Sequence, residues 1–176
     1  MATKSSGDTA QMTITADILP DELGKTISNK IYKYLPRDTS EGWYYKLTDV
    51  TTTSGDLIFA SNYLQKGTTS AGLAVGGSDT TVHANDLVKF LFIHNTGYGT
   101  DGTTAHASSV NLCFDGGTAA HNLVDAVEVG AGEVWFAKLP NTTVANLHAI
   151  AGQANAAGTA GASIQCVVAA VLDDVA

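Results

Sequence analysis

The residues of this 176-residue chain that could do chemistry are its glycine-rich loops, five histidines, two cysteines and scattered carboxylates. Gly97-Tyr98-Gly99-Thr100-Asp101-Gly102 spells G-x-G-x-x-G directly after an apolar run, as a dinucleotide loop does. That chemistry requires a helix next, because the helix N-terminus holds the pyrophosphate. The next residues, TTAHASSVNLCF, are rich in Thr and Ser and then alternate, so the loop is expected to connect two strands and to bind no cofactor. Gly24-Lys25-Thr26 is half of a phosphate-binding P-loop. Leu19 stands where its first glycine must be, and Asp21 and Glu22 would repel phosphate.

The histidines, at 83, 94, 106, 121 and 148, form no H-x-H, H-E-x-x-H or H-x-x-x-H pair. A jelly-roll metalloenzyme of the cupin type would need paired imidazoles plus a carboxylate on neighbouring strands, so the expectation is surface or satisfied histidines and no metal. A serine nucleophile would call for a G-x-S-x-G elbow, which is absent from the sequence, and neither Cys113 nor Cys166 has a histidine beside it. A triad assembled only in space stays open. Asp101, Asp115 and Asp125 are isolated where calcium would need a dense carboxylate loop. Asn141-Thr142-Thr143 is a glycosylation sequon, which acts only in a secreted chain. No catalytic residue, metal ligand or cofactor contact is assigned, and the chain is expected not to be an enzyme.

Two groups could instead touch a partner. Trp43, Tyr44 and Tyr45 are the densest aromatic cluster, and alternation leaves one or two of them outward as a sugar-stacking platform or interface anchor, unless all pack in the core. Lys25, Lys30, Lys33 and Arg37 gather four positive charges in an otherwise acidic chain. They form either a docking patch for an acidic partner or an ordinary solvated face, since Asp21, Glu22, Asp38 and Glu41 flank them.

Composition limits the partners further. Charged residues make up 15% of the chain, against about 25% in usual soluble domains, so Thr, Ser, Asn and Gly must supply the polar surface. The net charge is −8, and Lys138 is the only Lys or Arg after Lys89. Nucleic acid, whose phosphates are bound by Lys and Arg, is therefore not expected. The longest apolar runs, such as CVVAAVL, fall far short of the roughly 18 residues that span a bilayer. The opening MATKSSGDTAQ has a lysine but no apolar stretch behind it, which predicts no secretory route and reduced, buried cysteines. A chain of this size hides about 70% of its unfolded surface and can build one core without staples.

The elements that must position these residues are mostly strands. Trp43 to Val50 alternates, with Trp43, Tyr45 and Leu47 on one face and Tyr44, Lys46 and Thr48 on the other. Residues 57–65 are expected as a strand from their aromatic and β-branched content. Leu87 to His94 is apolar on both faces, like a central strand, with Lys89 reaching an edge. In DAVEVGAGEVWFAKLP, Gly130-Ala131-Gly132 is a turn between two short strands and reads as a hairpin. Val110, Leu112 and Phe114, then Leu123 to Val129, Val144 to Ile150, and the nearly all-buried run from Ile164 to Ala170 add further strands. A Gly/Ala linker, GQANAAGTAGA, precedes the last one. The exception is 21–35, where Leu23, Ile27, Ile31 and Tyr34 recur at helical spacing between Pro20 and Pro36; an extended strand through KIYKYL is the alternative. The fold expected is an all-β antiparallel sandwich, jelly-roll-like, of about seven or eight strands over residues 41–176. Residues 1–40 would be an N-terminal arm, with or without one short helix. MATKSSGDTAQ has almost nothing apolar to tie it down, so the arm is expected to settle on a neighbouring subunit.

From LVKFLFIHNTG through DAVEVGAGEVWFAKLPNTTVANLHAIAG to SIQCVVAAVLDD, the chain resembles small virion structural proteins of tailed bacteriophages. In that group an apolar strand ends in an N-T turn and precedes a V-G-x-G-E-x-W/F hairpin and a late buried strand. The segment TADILPDELGKTISNKIYKYLPRD is similar to the group's N-terminal region. The resemblance implies a capsid decoration or cement protein, a β-sandwich that sits as a homo-oligomer, a trimer, on the capsid exterior and bridges the major capsid protein. Other members belong to tails or fibres. It implies synthesis in the cytoplasm of the bacterial host and carries over no functional residue. A carbohydrate-binding module of a tail fibre or adhesin is the alternative function.

Overall fold

The computed structural model describes residues 9–16, 27–34, 41–59, 65–66, 81–120, 126–139, 142–153 and 161–175. They form an all-β, antiparallel protein in which two sheets lie as a sandwich. The larger sheet has five strands in the order β5 (Gln65–Lys66), β3 (Glu41–Val50), β11 (Ile164–Asp173), β6 (Leu87–Asn95) and β9 (Val134–Ala137). The smaller has four, in the order β4 (Gly55–Asp56), β10 (His148–Gln153), β7 (Ser109–Cys113) and β8 (Val127–Val129). These strand orders give the sandwich without establishing a jelly-roll winding. β1 (Thr9–Ala16) and β2 (Ile27–Tyr34) pair with each other as a separate two-stranded sheet. Over 27–34 the choice between helix and strand thus falls to the strand, where β-branched and aromatic residues outweigh the helical spacing. Residues 21–26 and 35, at the ends of the expected helix, lie outside the described residues.

β11 is the centre of the larger sheet because every second residue, Ile164, Cys166, Val168, Ala170 and Leu172, is an apolar side chain with 0% exposure. They meet Val110 and Leu112 of β7, Val129 of β8 and Ala149 and Ala151 of β10, with Leu57, Ile58, Val82 and Leu147 filling the spaces between. Lys89 stands at a bulge, where the β6–β11 register shifts, and its ammonium meets Asp173 at 3.0 Å, so the charge expected at an edge is paired there.

Three expected elements differ. Residues 57–59 bend instead of extending, because Leu57 and Ile58 are consecutive and both buried, which a period of two forbids; 60–64 lie outside the described residues. Val144–Asn146 is a 3-10 turn, and the strand begins only at His148. The expected hairpin is a corner: β8 pairs with β7 in one sheet and β9 with β6 in the other. Gly132, at φ +79°, turns the chain, and Glu133 closes the loop by accepting a hydrogen bond from the Gly130 N–H at 2.8 Å.

Buried Asn95 fastens that corner. Its Nδ2 donates to the carbonyls of Ser108 and Val129, each at 3.0 Å, and its Oδ1 accepts from the Gly97 N–H at 3.0 Å. One side chain of the larger sheet thereby satisfies three backbone groups, two at the smaller sheet and one in the loop after β6. Close by, just before β11, Gly161 lies so near Gly152 that a Cβ there would overlap the Gly152 carbonyl, and a larger residue is excluded.

Candidate functional site

The sequence leaves open a catalytic arrangement assembled in space, and one row of the smaller sheet has the right residue types. His148 pairs with Cys113 on one side and Asp56 on the other. The geometry does not support the chemistry. The His148 Nδ1 lies 2.6 Å from the Gly117 carbonyl and its Nε2 lies 3.2 Å from Asp56 Oδ1, so both ring nitrogens are directed at groups other than the Cys113 thiol. The Cys113 Sγ donates instead to Asp115 Oδ1 at 2.9 Å. Burial first, and that carboxylate second, push the thiol up from its usual range, which disfavours the thiolate a nucleophile needs. Reciprocally, the Cys113 and Gly117 donors hold Asp115 below the usual carboxylate range. Cys166 is pushed up to about 12, by burial and then by the Asp49 charge. Both thiols are free and buried, in agreement with the sequence expectation.

The G-x-G-x-x-G loop closes on itself as a strand connection. Gly99 N–H donates to the Thr104 carbonyl and His106 N–H to the Gly97 carbonyl, each at 2.8 Å, and Tyr98 bridges Ala105. Asp101 caps the turn by accepting from the Thr103 and Thr104 N–H groups and the Thr104 hydroxyl, which hold its carboxyl well below the usual range. The chain runs on into β7, so the loop has no helix N-terminus to receive a pyrophosphate. A hollow of about 180 Å³ lined by Asp49, Thr51, Thr53, Asp56 and Phe59 is smaller than the roughly 300 Å³ of ordinary small-molecule sites. Among the described residues, the side chains that could share a metal ion are His83, Asp86 and Asp174. No helix of the described residues is long and apolar enough to cross a membrane.

A further feature is the outer face of the five-stranded sheet. β3, β11, β6 and β9 align there in three rows: Trp43, Val171 and Phe90; Tyr45, Ala169, Phe92 and Phe136; and Leu47, Val167, His94 and Val134. At one end Phe90 and Val171 are buried, with Trp43, Phe92 and Phe136 packed against them. At the other, Tyr45, Leu47 and Val134 are 54%, 52% and 55% exposed. This face is apolar across four strands, and His94 is the one member of these rows whose residue type can charge near neutral pH.

The partner-contact residues expected from sequence are therefore split. Trp43 is half-buried on this face, whereas Tyr44 points into the core with 0% exposure and offers a partner no surface. Tyr45 and Leu47 are the exposed members of the strand. Lys30 and Lys33 sit in β2, opposite Thr13 and Ala10. Lys25 and Arg37 lie outside the described residues, as do His121, Leu123 to Asp125, Asn141 and residues 1–8. Sequence reasoning misses Val134, Phe92 and Phe136 as surface residues, although the two-sided apolarity of residues 87–94 is a signal for Phe92. No family model, curated protein or solved structure matches the chain.

Proposed function

We propose that the chain is a non-enzymatic virion structural protein of a tailed bacteriophage, a decoration or cement protein that binds across major capsid protein subunits on the capsid exterior. The observation that carries the reading is the apolar outer sheet face with Tyr45, Leu47 and Val134 about half exposed. Contiguous apolar area of this kind marks a surface that a partner covers. A chain with only 15% charged residues packs in many copies with little mutual repulsion. A subunit bound across a joint of the shell must be released before the joint opens, so binding adds to shell stability by mass action. Homo-oligomers, trimers in this reading, would add valency.

The experiment compares shells with and without the protein. Bound shells should resist higher temperature and lower salt, and the Tyr45→Ser/Leu47→Ser variant should fold but bind weakly. Equal resistance of the two shells would overturn cementing. A carbohydrate-binding module is the second reading, favoured by the outward Tyr45 and half-buried Trp43 on one sheet face. Glycan-array binding that is lost in Trp43→Ala with the fold intact would select it.

A further inference from the structure

At one end of the larger sheet two carboxylates lie close together. The β6–β11 ladder ends with Leu172 opposite Val88 and Asp173 opposite Leu87. Asp86 and Asp174 are the next residues beyond that last pair. Asp86 is 0% exposed. The nearby Lys89 ammonium is committed to Asp173 at 3.0 Å.

The Asp86 carboxylate is fixed by backbone donors. His83 N–H donates to its Oδ2 at 2.8 Å and Val175 N–H to its Oδ1 at 3.4 Å, while Asp86 N–H closes the turn on the His83 carbonyl at 3.1 Å. The turn is clamped in place as well, since the Asp86 and Ala84 carbonyls accept from Val144 and Ala145 N–H at 2.9 Å each. The same turn brings in His83, whose Nδ1 is buried and has no hydrogen-bond partner among the described residues. The ligand atoms of His83, Asp86 and Asp174 all lie within 4.8 Å of one another. A buried imidazole nitrogen lacking a partner, with two carboxylates within 4.8 Å, is a donor set that one cation can bind.

We propose that His83, Asp86 and Asp174 bind one divalent transition-metal ion, with zinc the best match, and that the ion staples the end of β11 to the turn that opens β6. The proposal is independent of the virion reading. One imidazole and two carboxylates suit zinc or manganese, whereas calcium and magnesium take oxygen ligands alone. Three protein ligands leave a fourth position for water. Zinc–ligand bonds of about 2.0–2.2 Å put neighbouring ligand atoms about 3.4 Å apart, so short rotations of the half-buried His83 and Asp174 close the set around the fixed Asp86. Because β11 lies between β3 and β6, the ion would lock the end of the strand on which the larger sheet is built.

The test uses the full chain, stripped with EDTA and titrated separately with zinc, manganese and calcium chloride by calorimetry and thermal melting. One equivalent of zinc should bind and, at about a hundred times its Kd, raise the melting temperature by roughly 5–10 °C. Calcium at the same concentration should give no shift. His83→Ala and Asp174→Asn should each weaken zinc binding by about tenfold or more, while the metal-free protein still melts cooperatively, and His83 ring resonances should move on zinc addition. Failure of the stripped wild-type chain to bind zinc would overturn the proposal. So would unchanged binding in the double variant, which would assign the ion to another group such as Cys113 and His148.

Discussion

Tyr44 and Tyr45 are adjacent, chemically identical and placed on opposite faces of β3, so truncating each to alanine measures which face is the core. A tyrosine covers about 200 Å² when buried. Tyr44 is 0% exposed, so Tyr44→Ala removes all of that area and leaves a cavity, which at about 25 cal/mol per Å² costs about 4–5 kcal/mol. Tyr45 is 54% exposed and keeps a little under half its area covered, which sets an upper limit of about 2 kcal/mol for Tyr45→Ala. The gap of about 2–3 kcal/mol corresponds to roughly 5–10 °C in melting temperature for a chain of this length. Urea unfolding followed by circular dichroism gives the two free energies directly. Equal costs, or a larger cost at Tyr45, would show that the register between β3 and β11 puts the other row inside, and the apolar outer face would be lost with it.

Asn95→Ala should cost about 2–4 kcal/mol in the same assay, because it strands the Ser108 and Val129 carbonyls and the Gly97 N–H in a buried corner; a loss under about 1 kcal/mol would mean that the corner does not depend on it. Neither thiol should react with Ellman's reagent at pH 8 in the native chain, while both should react in urea; rapid native labelling of Cys113 would contradict the Asp115 hydrogen bond. Cys166 also makes stability pH-dependent. Its folded pKa, pushed up to about 12, lies above the ordinary thiol value of 9.0, so its contribution is full below about pH 9 and is lost as pH rises toward 12. Melting temperatures from about pH 8 to 11 should fall more steeply for the wild type than for Cys166→Val, and parallel curves would refute the assignment.

Strand content is legible because alternation is a local property: β3, β6 and β11 stand where the pattern of Trp43 to Val50, Leu87 to His94 and Ile164 onward puts them. Pairing is not legible. Gly130-Ala131-Gly132 has the composition of a hairpin turn, but whether its flanks join each other or two different sheets is decided by Asn95, far away in sequence and bonded to Val129. The metal-ligand set is hidden for the same reason. His83 and Asp86 are three apart and share a turn, yet no pattern of paired histidines includes them, and Asp174 joins them only through the end of the β6–β11 ladder.

Alternation also fixes the period of a strand without its sign. By hydrophobicity alone, Trp43, Tyr45 and Leu47 should face the core and Tyr44, Lys46 and Thr48 the solvent. β11 decides otherwise. Its inward row is set by residues that are small or branched, and the register places Tyr44 opposite Ala170, where the missing side-chain volume admits a buried ring. The more apolar row of β3 is thereby turned outward beside Phe92 and Phe136. A sheet that needs only one buried face gains nothing from a second apolar one, and it incurs the risk of non-specific association. On the proposed reading of the outer face as a contact surface, replacing Tyr45 and Leu47 with serine should alter association far more than folding.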